Sequence, residues 1–277
     1  MPQFAANISW LYPDLPFLDR IAAAARDGFT AVECTFPYDR PLRVLQDRLN
    51  EALMHLVLMN APSGDWAAGE RGLASLPERE ADFRLSIQLG ADWAQALACP
   101  RLHILAGCPA PGAHLATAWA VYEERLRWAL EATQGSGLTL MIEPINAHDM
   151  PGYLLTEQAQ AHAVAARIGS PRLKVQMDLY HCQRTEGDVL AQIRHWLPTG
   201  QVGHFQIAGV PSRCEPDQGE LPAAAALALI DELSADTGWS GWVGCEYRPS
   251  RDAAAGGTSA GLDWLRPWRP EATMNAP

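Results

Sequence analysis

The sequence predicts an α/β protein whose first 250 residues form a single (β/α)8 barrel, and three observations carry that prediction. Eight short apolar runs alternate in order with stretches of helical apolar spacing, the pattern of a parallel sheet with right-handed crossovers. Four of the later runs end in oxygen-bearing side chains, Glu143, Asp178, Gln206 and Glu246, separated by 35, 28 and 40 residues. A barrel of about 250 residues repeats roughly every 31, so these separations fit successive units. No Gly-x-Gly-x-x-Gly follows the first run, which leaves the runner-up, a doubly wound open sheet, without dinucleotide support.

Residues 4–10 read as the first strand, with Asn7 near its end. An Ala-rich helical pattern covers 14–26, and Gly28 is its stop signal. Residues 30–36 are the second strand, carrying Glu33, and 41–52 its helix; 55–60 are the third strand. Residues 61–72 are rich in Gly, Pro and charge, too broken for a regular element. They follow a strand C-terminus, where barrels place functional loops, so a lid is expected there. Trp66 and Arg71 would cover or bind a substrate; a passive surface loop is the alternative. Long helices are expected from 78 through 90 and beyond and over 113–133, on either side of a fourth strand at 101–107 that contains His103.

The fifth strand, 138–146, must finish at Pro144, which cannot donate to a sheet ladder. Glu143 is therefore left at the lip of a buried strand, where an unpaired carboxylate needs a metal, an arginine or a ligand. Thr156 is expected to cap a helix running to Ile168, with Gly169 and Pro171 as stop signals. Strands six to eight are 173–178, 202–206 and 242–246, with helices over 188–196 and 222–233. Residues 251–277 form a C-terminal extension with one short helical segment near 262–268 and a frayed tail.

Composition narrows the function classes. A net charge of −11 disfavours nucleic acid and anionic membranes as partners, and no apolar run approaches the ~20 residues of a membrane span. No secretory signal pattern opens the chain, so a cytoplasmic protein is expected. The six cysteines form no Cys-x-x-Cys pair, which argues against a structural zinc site. Lys174, the only lysine, lies near the start of its strand, so Schiff-base chemistry at the strand ends has no nucleophile. Four oxygen donors from neighbouring strands suit a hard or borderline divalent cation, Mg²⁺ or Mn²⁺.

The motifs 4–9 (Phe-Ala-Ala-Asn-Ile-Ser), 64–72 (Gly-Asp-Trp-Ala-Ala-Gly-Glu-Arg-Gly) and 142–146 (Ile-Glu-Pro-Ile-Asn) stand out. So do 149–153 (Asp-Met-Pro-Gly-Tyr), 178–181 (Asp-Leu-Tyr-His) and 244–249 (Gly-Cys-Glu-Tyr-Arg-Pro). With these the chain resembles the hydroxypyruvate isomerase family of the xylose-isomerase-like barrels. The resemblance implies a metal-assisted interconversion of hydroxypyruvate and 2-hydroxy-3-oxopropanoate. It implies Glu143 and Glu246 as the acid/base pair and Glu143, Asp178, Gln206 and Glu246 as the metal set. His181 and Arg213 fall where related barrels contact substrate, and Arg71, Trp66 and Asn7 complete the candidate substrate contacts. A small hydroxy-oxo acid is the expected partner, with homo-oligomerisation open.

After strand seven the chain departs from the family pattern, with Gly209, Cys214 and Pro222 where Asp, His and Asn are usual. That leaves alternatives: a 2-oxo-tetronate isomerase or ketose epimerase of the same chemistry, and, from other classes, a non-catalytic barrel or a metal-dependent phosphoesterase.

Overall fold

The computed structural model describes residues 1–268. Eight parallel strands close in sequence order: β1 (Gln3–Asn7), β2 (Ala31–Cys34), β3 (His55–Asn60), β4 (Arg101–His103), β5 (Thr139–Ile142), β6 (Leu173–Asp178), β7 (Val202–Ile207) and β8 (Trp242–Cys245). β8 returns to β1 with Phe4 opposite Val243 and Ala6 opposite Cys245, so no edge remains unpaired. The helices α1 (Asp19–Arg26), α2 (Leu42–Glu51), α3 (Glu80–Ala96), α4 (Leu115–Ala132), α5 (Gln158–Ile168), α6 (Leu179–Thr185), α7 (Val189–Trp196) and α8 (Ala223–Thr237) follow the strands.

Each outer helix buries one stripe against the sheet. In α3 the stripe is Phe83, Ile87, Gly90 and Ala94, and in α4 it includes Ala118, Tyr122, Leu126 and Ala129. This is the i, i+3, i+4 spacing of an amphipathic helix. Gly90 lets α3 approach β4 closely, since an added Cβ would come 3.0 Å from the Leu102 side chain. Helix α5 starts later than the sequence suggests. Glu157, rather than Thr156, caps it in a reciprocal box with Gln160, and Gly169 ends it in the left-handed region at φ 68°.

Successive strand residues alternate faces, so residues two apart share the barrel interior. At the bottom Ala5, Ala31 and Val57 pack together with Trp242. One layer toward the strand C-termini the buried residues turn polar: Asn7, Glu33, Gln176, His204 and Gln206. Two register shifts accompany this change, one between Val32 and Glu33 against β3 and one between Val175 and Gln176 against β7. Such irregularities re-aim side chains beside functional sites. Lys174 points the other way along the chain, donating from Nζ to the Gly200 carbonyl at 2.6 Å.

Beyond the barrel, α9 (Gly257–Ala260) leads to a 3₁₀ helix at Leu262–Trp268. Trp264 packs edge-on against Phe4 and Tyr247, at 5.9 and 6.2 Å between ring centroids, and so ties this segment to β1 and β8. The expected frayed tail falls on residues 269–277, outside the described residues.

Candidate active site

Three carboxylates are buried where the strands end. Glu143 immediately follows β5, and Pro144 ends the ladder just beyond it. Glu246 immediately follows β8. Asp178 is the last residue of β6 and also the N-cap of α6, its Oδ1 accepting the backbone N–H of Tyr180 at 2.7 Å and of His181 at 3.4 Å. The sequence reading carried no helix at α6. The cap explains it, because one carboxylate oxygen satisfies the first free amides of a new helix. The other oxygen, Oδ2, is buried and makes no hydrogen bond, as is Glu143 Oε1.

Crowding three acids in a dry site shifts their titration. Burial, then the neighbouring Glu246 and Asp178, pushes Glu143 well above the usual carboxylate range. Burial raises Glu246 to about 8 against the opposing pull of Arg213, and raises Asp178 to about 6 against Arg213 and the two capping amides. Such a cluster favours either protons or a cation. Oxygens of Glu143 and Asp178 and a ring nitrogen of His181 all lie within 4.8 Å of one another, close enough for a divalent ion to sit between the two carboxylates beside the ring. The two unbonded carboxylate oxygens fit a cation better than a neutral occupant. Glu246 stands outside that triad, with Oε1 3.5 Å from Arg213.

The tautomer of His181 follows from a backbone group. Its Nδ1 lies 2.6 Å from Asn146 Nδ2 and 3.4 Å from the Asn146 backbone nitrogen. A backbone N–H can only donate, so Nδ1 accepts and Nε2 carries the proton. Burial, with Arg213 and His103 nearby, keeps the ring neutral by holding its pKa well below the ordinary value. His181 therefore offers an N–H at Nε2, 3.7 Å from Asp178 Oδ2.

Arg213 lies among the acids, 3.7 Å from Asp149, 3.7 Å from Asp178 and 3.5 Å from Glu246. Its guanidinium also sits over the rings of Trp10 and Tyr180, at 4.7 and 5.0 Å from their centroids. The backbone of Arg213 is left-handed, at φ 55°, a conformation costing a non-glycine residue about 1 kcal/mol or more. Two backbone bonds hold it, to the Gly209 carbonyl and from the Arg248 amide, each 2.8 Å. Buried Glu215 ties the same loop to the one after β8 by accepting the Ser250 amide at 3.0 Å.

Above these groups opens a cavity of about 460 Å³, whose walls include Trp66, Arg71, His103, Glu143, His181, Arg213 and Glu246. The 61–72 loop reaches it through Trp66 and Arg71. The Arg71 guanidinium lies 4.0 Å over the Trp66 ring, and Trp66 leans on Phe36 at 5.3 Å. Asn7 is not on this wall. It sits beneath, donating from Nδ2 to Glu33 Oε1 at 2.9 Å. Gln206 is also beneath, its Nε2 donating to Glu33 and its Oε1 accepting from Gln176 Nε2 at 2.6 Å.

Neither Gly209, Cys214 nor Pro222 lines the cavity, although the sequence placed them on a site-facing loop. An added Cβ at Gly209 would meet the carbonyls of Gln218 and Glu215, so a larger residue there would force the loop apart. Several wall residues carried no separate signal in the sequence: Trp10, Asn60, Tyr180 and Arg248. His103, which the sequence places within the fourth strand, comes 3.6 Å from Glu143, with Nδ1 3.2 Å from Asn60 Oδ1. Burial lowers its pKa to about 3, so it stays neutral.

A family model described as xylose isomerase-like TIM barrel matches residues 21–268. The 2-oxo-tetronate isomerase of Cupriavidus necator is 48% identical over 97% of this chain and 99% of its own length. The hydroxypyruvate isomerase of Escherichia coli K12 is 38% identical over 97% of this chain and 100% of its own. A crystal structure from Brucella melitensis, described as an AP endonuclease of family 2, superposes with a TM-score of 0.90 at 38% identity, over 98% of this chain and 100% of that one.

Proposed function

The chain belongs to the xylose isomerase-like TIM-barrel family, and on that premise we propose that it is a cation-assisted isomerase of a short 2-oxo-3-hydroxy acid. The reaction exchanges the carbonyl and hydroxyl of adjacent carbons through an enediolate. Hydroxypyruvate and 2-oxo-tetronate share that skeleton and differ in whether C3 bears hydrogen or a hydroxymethyl group. The observation carrying the reading is the set of three buried carboxyl groups with two unbonded oxygens under a wide, arginine-rimmed cavity. The room in that cavity, with the 48% identity to a 2-oxo-tetronate isomerase, favours the four-carbon acid. Hydroxypyruvate is the second reading, supported by the 38% relative.

Glu143, Asp178, Gln206 and Glu246 would hold the cation, Mg²⁺ or Mn²⁺. When bound, the ion supplies Lewis acidity toward the substrate oxygens that gain charge in the enediolate. One of Glu143 and Glu246 takes the proton from C3 and the other returns a proton at C2. The neutral Nε2–H of His181 stabilises charge on a substrate oxygen without itself losing a proton. Arg213 and Arg71 offer guanidinium groups to the substrate carboxylate. Trp66 shields the reacting carbons from water. Asn7 belongs to the network beneath the site rather than to the substrate contacts. A metal-dependent phosphoesterase gains less support from a site whose acids outnumber its histidines.

Proton NMR on metal-stripped protein tests this. Mg²⁺ or Mn²⁺ is added back with 2-oxo-tetronate, hydroxypyruvate and a ketose panel in parallel. The expected result is metal-dependent turnover of the 2-oxo acids that falls at least ~10²-fold in Glu246→Gln. Turnover of ketoses alone would reassign the substrate. No turnover with metal bound would overturn the enzyme reading in favour of a non-catalytic barrel.

A further inference from the structure

Glu33 is fully buried on β2, one layer below the acids, and the mechanism above gives it no task. Three nitrogen donors converge on it. Asn7 Nδ2 lies 2.9 Å and Gln206 Nε2 2.7 Å from Oε1, and His204 Nε2 lies 2.6 Å from Oε2. The direction of these bonds is set by a backbone group. The Ser9 amide donates to Asn7 Oδ1 at 3.1 Å, so the NH₂ end of Asn7 must be the one facing Glu33. Oε1 of Glu33 is thereby an acceptor. An amide opposite an acceptor must turn its NH₂ inward and its carbonyl outward.

The outward end is the one that matters for a cation, since a metal binds an amide through oxygen and never through NH₂. Gln206 Oε1 faces Gln176 Nε2 at 2.6 Å, on the side of the amide away from Glu33. Glu33, Gln206, Gln176 and Glu143 all line one small cavity of about 20 Å³ beneath the site, together with Glu246. The chain also makes room for the Glu33 carboxylate. Gly244 on β8 has no Cβ, and an added one would overlap both carboxylate oxygens.

We propose that Glu33 is a positioning residue: by accepting the NH₂ of Gln206 it locks that amide with its carbonyl oxygen turned toward the cation site. The inference rests on the reading that Gln206 is a ligand. Replacing Glu33 by glutamine keeps shape and burial but removes the acceptor-only character, so the Gln206 amide is free to turn over.

The test is Mn²⁺ titration of metal-free protein, followed by electron paramagnetic resonance, with thermal unfolding measured alongside. Glu33→Gln is expected to weaken Mn²⁺ binding by about 10–100-fold, the usual cost of losing a group that orients a ligand. Combining it with Gln206→Glu should bring affinity back to within about threefold, because a carboxylate presents oxygen whichever way it turns. Gly244→Ala, which displaces the carboxylate while leaving every polar residue in place, should weaken binding in the same direction. Wild-type affinity in Glu33→Gln, or a double variant that stays weak, would overturn the proposal. So would single variants that lose their fold and are not rescued, which would leave Glu33 a packing group. A wild-type protein that binds no Mn²⁺ would instead remove the cation reading on which the inference stands.

Discussion

Residue chemistry at this site turns on which atoms already have partners. His181 has its Nδ1 occupied by Asn146, so it presents a donor and not a lone pair. His181→Ala is therefore expected to lower kcat by about 10²-fold while leaving Mn²⁺ affinity within a few fold. Loss of metal binding in that variant would make the ring a ligand instead. The carboxylates give a second expectation. Glu246 is raised to about 8 from 4.5 and Asp178 to about 6 from 3.8, so both hold protons more tightly folded than unfolded. Their contribution to stability is present below their ordinary values and is lost as pH rises through 6 and 8. The metal-free protein should accordingly melt at lower temperature at pH 9 than at pH 5. Cation binding requires the ionised acids, so Mn²⁺ should bind more weakly as pH falls from 8 to 6 and should release protons on binding. Calorimetry in buffers of different ionisation enthalpy reads that release, and a buffer-independent heat would contradict it.

At the scale of elements, α5 shows how a buried polar side chain docks a helix. His162 stacks on Trp196 of α7 at 4.0 Å between centroids and 7° between planes, and its Nδ1 lies 2.9 Å from Gln201 Oε1. Burial lowers its pKa to about 4 from 6.5, so the unfolded chain binds the proton more readily. The stability this ring confers is complete above 6.5 and is lost as pH falls toward 4, by about 3 kcal/mol at most. His162→Phe keeps the stacking and should flatten the fall in melting temperature between pH 6.5 and 4 relative to wild type. An unchanged pH profile would show that another group carries that dependence. The strands and most helices were legible in the sequence because their periodicities differ. The boundaries of α5 and the existence of α6 were not, because each depends on which carboxylate caps which amides. Thr156 and Glu157 are both chemically able to cap, and the Gln160 side chain accepts from both backbone amides; what selects Glu157 is its own carboxylate, which accepts the Gln160 backbone N–H.

The whole molecule is held closed partly from inside. Arg101 enters from β4 and donates to the Gly203 carbonyl of β7 at 3.2 Å and to the Val57 carbonyl of β3 at 3.3 Å. β4 and β7 are not neighbours in the barrel, so this side chain bridges its interior. Arg101→Met should cost about 2 kcal/mol in denaturant unfolding, from two lost charged hydrogen bonds partly offset by apolar packing. It lies at the start of its strand, away from the acids, so kcat should stay within about twofold. A large loss of kcat with unchanged stability would show that the lower barrel is coupled to the site.

What the sequence determined by itself was the barrel and the position of Glu143, Asp178 and Glu246 at the ends of its strands. Strand, helix and repeat length are local or periodic properties, and a polar residue at the end of an apolar run has one place to go in a closed parallel sheet. It also carried Trp66 and Arg71 to the cavity, because a Gly- and Pro-rich break after a strand must cross the barrel mouth. Tertiary structure alone decided the rest. It set Asn7 and Gln206 beneath the cavity around Glu33, brought His103 to Glu143, and kept Gly209, Cys214 and Pro222 off the wall. Those outcomes depend on distances between residues far apart in the chain and on which hydrogen-bonding end faces which. No spacing along the sequence records the direction of a bond.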